Sequence, residues 1–307
     1  MFSYSNRHAG SLPADGIHSI HGDRHAGSLP ADGIHSIHGD RPLIMGILNV
    51  TPDSFSDGGK YSGLAAALQQ VELMLSEGVD MIDIGGESTR PGSEPVSANE
   101  QIERVVPVIK AIRQQLASDI LISIDTTLSA VAKAALDAGA DIINDVSGGR
   151  ADAAILTLAA ATGAPIILMH SQGEPKTMQD SPYYHNVVEE VLSALDESIN
   201  AALKAGIKKE AIAIDPGIGF GKRKQDNLDL LAHLDRLVAT GFPVLLGTSR
   251  KRFMGTICAI NEPSELVTAT AVTTALGVMA GVQMFRVHDV KENRQAADVA
   301  WAIKERA

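Results

Sequence analysis

From Leu43 to its end the chain alternates, eight times over, a short branched apolar run with a longer stretch that in most cases shows helical spacing. The runs read as strands at Leu43–Val50, Met81–Gly86, Ile120–Thr126, Asp141–Ser147, Pro165–His170, Ile212–Ile218, Pro243–Thr248 and Gln283–Asp289. Helices are predicted at Gly63–Glu77, Asn99–Leu116, Leu128–Ala138, Tyr183–Ala205, Asp226–Ala239, Glu265–Ala280 and Lys291–Glu305. Glycines 78, 139, 163, 206, 241 and 281 stand where a helix should stop, each followed within a few residues by the next strand. Eight such units in series close most naturally into a single (β/α)8 TIM barrel of the α/β class. An open doubly wound sheet would carry Gly-x-Gly-x-x-Gly after its first strand, and that place holds Asn49-Val-Thr-Pro-Asp.

Residues 1–41 stand apart. Arg7–Asp23 and Arg24–Asp40 are identical copies, too few for a solenoid and too polar to bury a face. They hold six of the ten histidines, spaced His-x-x-His at His18/His21 and His35/His38, with no acidic or thiol partner to make a designed metal site. The expectation is a flexible, disordered N-terminal extension, 1–41, ahead of a barrel spanning 42–307. A single cysteine, Cys258, excludes a disulfide framework and fits a reducing, cytoplasmic setting. A net charge of −11 argues against nucleic-acid binding, and no apolar run reaches membrane-spanning length.

In a barrel, chemistry gathers at the carboxyl ends of the strands. Here those ends carry Asn49, Gly85-Gly-Glu-Ser-Thr-Arg-Pro-Gly92, Asp125-Thr-Thr127, Asn144-Asp145, Met169-His170, Asp215-Pro-Gly-Ile-Gly-Phe220, Gly247-Thr-Ser-Arg-Lys251 and Arg286-Val-His288-Asp289. Any one aspartate could be a helix cap; eight polar ends in register point to a site. Asp125, Asn144, Asp215 and Lys251 suit the edge of a flat heterocycle bearing amino and carbonyl groups, since a carboxylate accepts two parallel N–H bonds. Arg286 and His288 form a cationic pair where barrels commonly hold phosphate. Asn49 and the nearby loop carboxylates suit Mg2+ bound against that phosphate. Thr248–Phe253 is expected to open a helix whose free N–H groups favour an anion; Arg250 and Arg252 are expected to face solvent.

With Asn49-Val-Thr-Pro-Asp-Ser-Phe-Ser-Asp-Gly-Gly59, Ile124-Asp-Thr, Ile143-Asn-Asp, Asp215-Pro-Gly-Ile-Gly-Phe-Gly-Lys222 and Ser249-Arg-Lys251, the chain from Pro42 onward resembles the bacterial dihydropteroate synthases. The resemblance implies condensation of 6-hydroxymethyl-7,8-dihydropterin pyrophosphate with 4-aminobenzoate, assisted by Mg2+, through a dissociative path. It implies pterin contacts from Asp125, Asn144, Met169, Asp215 and Lys251. Pyrophosphate would meet Asn49, Arg286 and His288, with the metal at Asn49. Phe55, Thr89, Arg90, Pro91, Phe220 and Ser249 would surround the aminobenzoate. Asp57 joins Lys251, Arg286 and His288 in the catalytic set, either assisting deprotonation of the amine or stabilising the cation. A homodimer through the later helices is implied too. Sulfonamides mimic 4-aminobenzoate and are expected competitors, with a sulfonamide-insensitive form an open expectation. Two alternatives stay open: a pterin- or tetrahydrofolate-dependent methyltransferase domain, and a pterin-binding protein without catalysis.

Overall fold

Each of the eight apolar runs forms a parallel strand, because side chains buried on both faces leave the backbone no better partner than its neighbours. The computed structural model describes residue 34 and residues 41–51, 59–88, 94–116, 119–173 and 182–306, with the backbone alone at 59–62. The strands are β1 (Leu43–Asn49), β2 (Met81–Gly85), β3 (Leu121–Asp125), β4 (Ile142–Asp145), β5 (Ile166–Met169), β6 (Ile212–Asp215), β7 (Leu245–Leu246) and β8 (Met284–Val287). They pair in the order β6-β5-β4-β3-β2-β1-β8-β7, and a parallel bridge between Ile214 and Val244 links the two edges. The predicted (β/α)8 barrel is the fold.

The helices are α1 (Gly59–Ser76), α2 (Ala98–Gln115), α3 (Ser129–Ala138), α4 (Ala154–Thr162), α5 (Val187–Lys204), α6 (Lys224–Ala232), α7 (Leu234–Val238), α8 (Arg252–Cys258), α9 (Val267–Ala280) and α10 (Val290–Lys304). Ser97 and Asn186 cap α2 and α5 by accepting the N–H of the third residue on. The six predicted stop glycines all take positive φ.

Three local expectations need correction. The stretch Asp226–Ala239 is two helices, since His233 leaves helical geometry and its ring Nδ1 takes the Asp229 carbonyl that a continuing backbone would have used. Helix α4 was missing from the sequence reading because alanines on both faces hide its buried stripe, Ile155, Leu156 and Ala159. The segment after β7 does not open a helix at Thr248. Arg250 takes a left-handed φ of 57°, and α8 begins only at Arg252.

Alternation along the strands puts two layers inside the barrel. The floor is apolar: Leu43, Met45, Met81, Ile142, Ile167, Ala213, Leu245 and Met284 pack together. Ile34, from the second leader copy, is fully buried in this cluster. Ile34→Ala is therefore expected to lower unfolding free energy by about 2 kcal/mol or more, measurable by urea denaturation. The equivalent change at Ile17, in the first copy, is the natural comparison. Above the floor the inward side chains turn polar.

Candidate active site

That polar upper layer is built by the same alternation. Counting two residues up from the floor gives Asp83 on β2, Ser123 on β3, Asn144 on β4, Met169 on β5, Asp215 on β6 and Arg286 on β8, and one further step reaches Asp125. Parallel register brings them level: Asp83 stands beside Ser123, Asp125 beside Asn144, and Met169 beside Asp215.

Arg286 organises one half. Its Nε donates to Asp83 at 2.6 Å and its Nη2 to Asp125 at 2.7 Å. Asp83 is wholly buried and also receives the Asn144 amide at 3.3 Å. Burial opposes the guanidinium charge, but Asp83 and then Asp125 outweigh it, so the pKa of Arg286 is raised. Asp125 moves the other way. Burial pushes its carboxyl up to about 7, Arg286 pulls it back only in part, and Asp83 adds to the rise. Arg286 turns to the carboxylates, while His288 meets Ser249.

Asp215 and Lys251 form the other half. Asp215 accepts the Gly217 N–H at 2.6 Å, and burial lifts its carboxyl to about 6 against the nearby cations. Lys251 is drawn down to about 8 by burial and by Arg286, with Asp215 and Asp125 opposing. Its Nζ stands 4.2 Å from the centre of the Phe220 ring, a cation–π arrangement. The carboxyls of Asp125 and Asp215 therefore lie in a water-poor mouth where donors supplied by a ligand would relieve their desolvation.

Ser249 is buried, and its hydroxyl lies 2.9 Å from His288 Nδ1 while accepting the His288 backbone N–H at 3.1 Å. Arg250, expected in solvent, instead grips Asp289 through Nε at 3.0 Å and Nη2 at 2.5 Å. Arg252 is exposed as expected.

Other strand-end groups serve the scaffold. Asp145 accepts from the backbone N–H groups of Ser147 and Gly149 and from the Ser147 hydroxyl, holding its own loop. Buried Lys222 donates to His170 Nδ1, and burial draws the two down to about 7 and about 3 respectively. Asp83 and Lys222 escaped the sequence reading, yet an aspartate inside Met-Ile-Asp-Ile-Gly was a usable signal, since a strand buried on both faces does not carry a charge idly. Of the predicted residues, Asp53, Phe55 and Asp57, with Thr89, Arg90 and Pro91, lie outside the described residues, as do both His-x-x-His pairs. No described helix is long and apolar enough to cross a membrane.

Comparison with known proteins gives this arrangement a context. Residues 45–288 match the family model described as pterin binding enzyme. A dihydropteroate synthase from Synechocystis sp. is 46% identical over 263 residues, covering 86% of this chain and 90% of that protein. One from Streptococcus pyogenes serotype M6 is 51% identical over 257 residues, covering 83% and 93%. Among solved structures, the Yersinia pestis dihydropteroate synthase in a sulfonamide drug complex superposes with a TM-score of 0.81 at 44% identity, over 86% of this chain and 95% of that one. The Xanthomonas albilineans enzyme with 4-aminobenzoic acid gives 0.80 at 44% identity, over 86% and 94%.

Proposed function

The chain belongs to the dihydropteroate synthases, and from that membership we propose how its barrel mouth performs the reaction. The enzyme condenses 6-hydroxymethyl-7,8-dihydropterin pyrophosphate with 4-aminobenzoate, giving 7,8-dihydropteroate and pyrophosphate. The methyltransferase and non-catalytic alternatives have no support among relatives that match over most of the chain.

The observation that carries the residue assignment is the pair of desolvated carboxyls, Asp125 and Asp215, facing one mouth with Asn144 and Lys251. A pterin edge carries parallel N–H donors beside a ring carbonyl. Asp215 accepts the donors, Lys251 donates to the carbonyl or a ring nitrogen, and Asp125 and Asn144 take the remaining edge, with Met169 against the ring face. Phe220 borders the aminobenzoate, with Phe55 and Thr89–Pro91 from the two loops.

In the reaction the bond between the methylene carbon and the pyrophosphate oxygen breaks, and the arylamine nitrogen then bonds to that carbon and loses a proton. Charge grows on the departing oxygen, where the His288 imidazole and the remaining donors of Arg286 meet it. Ser249 holds the His288 ring from its Nδ1 side. Asn49, half-buried at the end of β1, is a hard oxygen donor of the kind Mg2+ accepts alongside phosphate and water. Bound there, Mg2+ supplies charge neutralisation to the pyrophosphate.

The test is pyrophosphate release by the purified chain. Release should require both substrates and be inhibited by a sulfonamide competitively with 4-aminobenzoate. Release without 4-aminobenzoate, or none with both, defeats the assignment. An inhibition constant far above the aminobenzoate KM would identify the sulfonamide-insensitive form.

We also propose a cytoplasmic homodimer. The outer faces of α9 and α10 expose Val272, Leu276, Met279, Val299 and Ile303, apolar side chains of the kind that mark an interaction site. Leu276→Asp is expected to halve the sedimenting mass; an unchanged mass removes this face as the interface.

A further inference from the structure

We infer that Lys222 is a positioning residue, holding the loop between β6 and α6 so that Asp215 and Phe220 face the substrates. The inference rests on the assignment of those two side chains to the pterin and aminobenzoate sites. Lys222 is almost wholly buried, seven residues beyond Asp215. Its Nζ makes three contacts: His170 Nδ1 at 2.9 Å, the Gly217 carbonyl at 2.9 Å and the Phe220 carbonyl at 3.1 Å. An ammonium has three N–H donors, so all are engaged within the protein.

The two carbonyls belong to the residues that bear on the site. Gly217 is the residue whose N–H orients the Asp215 carboxylate, at 2.6 Å from Oδ1. Phe220 is the ring beside which Lys251 stands. One buried cation thus fixes the backbone of this loop at both residues.

The loop has no slack to find another path. Gly217 lies so close to the exit of β5 that a Cβ there would fall 1.8 Å from the His170 carbonyl, and one on Gly221 would fall 2.2 Å from that of Gln172. Both glycines have positive φ. His170 supplies the anchor on the β5 side. It serves as an acceptor only while neutral, and burial followed by the charge of Lys222 keeps it so, with its pKa pushed down to about 3.

A second tether of the same loop provides a control. The Tyr184 hydroxyl donates to the Gly221 carbonyl at 2.9 Å. Lys222→Met keeps the length of the chain and removes the donors. It is expected to raise the KM for both substrates about tenfold or more, the value of a charge-assisted hydrogen bond. Tyr184→Phe should lower Tm while leaving both KM values within about twofold, the span of the usual surface-scale change. Should Lys222→Met fail to fold, His170→Leu removes the anchor while leaving both carbonyls, and a rise of a few-fold in both KM values is expected. Wild-type KM values in whichever of the two variants folds, with only Tm reduced, would overturn the inference. Asp215→Asn separates the two levels of the argument. If it leaves the pterin KM unchanged, the site assignment fails; if it raises that KM while Lys222→Met does not, only the positioning role fails.

Discussion

Replacing Arg286 with methionine should lower turnover on the order of a hundredfold or more and destabilise the fold by about 3–5 kcal/mol, the usual cost of removing one partner from a buried ion pair. Asp83 and Asp125 would be left facing each other with little solvent between them, and with the Asn144 amide as the donor that remains on Asp83. Asp125 would respond by keeping its proton. Asp125, already at about 7 with Arg286 in place, would move higher once that cation is gone. The sign of the pH dependence follows. A carboxyl whose folded pKa is raised above its unfolded value contributes stability at low pH and loses it as pH rises through the folded value. The deficit of the variant should therefore be smallest at low pH and widen as pH climbs past about 7, as read from urea titrations from acid to mildly alkaline pH. Adding Asp83→Asn to Arg286→Met removes a buried charge and should recover much of the stability with none of the activity. A double variant as unstable as the single would mean that Arg286 stabilises the barrel by packing rather than charge.

How far the site could be read from sequence depends on where each residue sits along its strand. Asp125, Asn144 and Asp215 end their strands, so apolar body followed by polar tip announced them. Asp83 sits inside its strand, paired with Arg286 and flanked by isoleucines, which disguised it as part of the wall. Its partner Arg286 is 203 residues away, and no local pattern reports a contact at that separation. Arg286 itself was legible as a cation at a strand end, whereas its attachment to two carboxylates was not. Lys222 was legible only as the last residue of the Asp215–Lys222 motif, and its role came from the close passage of β5, which supplies His170 as its acceptor. Helical spacing failed where it had least contrast, in the alanine-rich α4, and at Arg250, whose left-handed backbone depends on the distant Asp289 and Thr270. Ile34 shows the same limit from the other side: an isoleucine in a polar repeat acquires its role only because the barrel floor is there to receive it.

Lys251→Ala should reduce turnover on the order of a hundredfold and, more tellingly, reshape its pH dependence. The profile of kcat/KM reports groups of the free enzyme. Asp215 at about 6 and Asp125 at about 7 must be ionised to accept the pterin N–H groups, so activity falls as pH drops through that range. Lys251 must be charged to donate, so activity falls again as pH climbs past about 8. The wild-type profile should be a narrow bell. Without Lys251 the part of the alkaline limb centred near pH 8 should disappear. The acid limb should move upward as well, because Lys251 is one of the cations holding the Asp215 carboxyl down. Lys251→Met, which keeps bulk beside Phe220, should show the same two changes if charge rather than packing is responsible. An alkaline limb that persists in both variants would belong to another cation. Lys222, the other buried lysine and one drawn down to about 7, would then be the group to replace next, since losing one of its three donors would loosen the loop that carries Asp215.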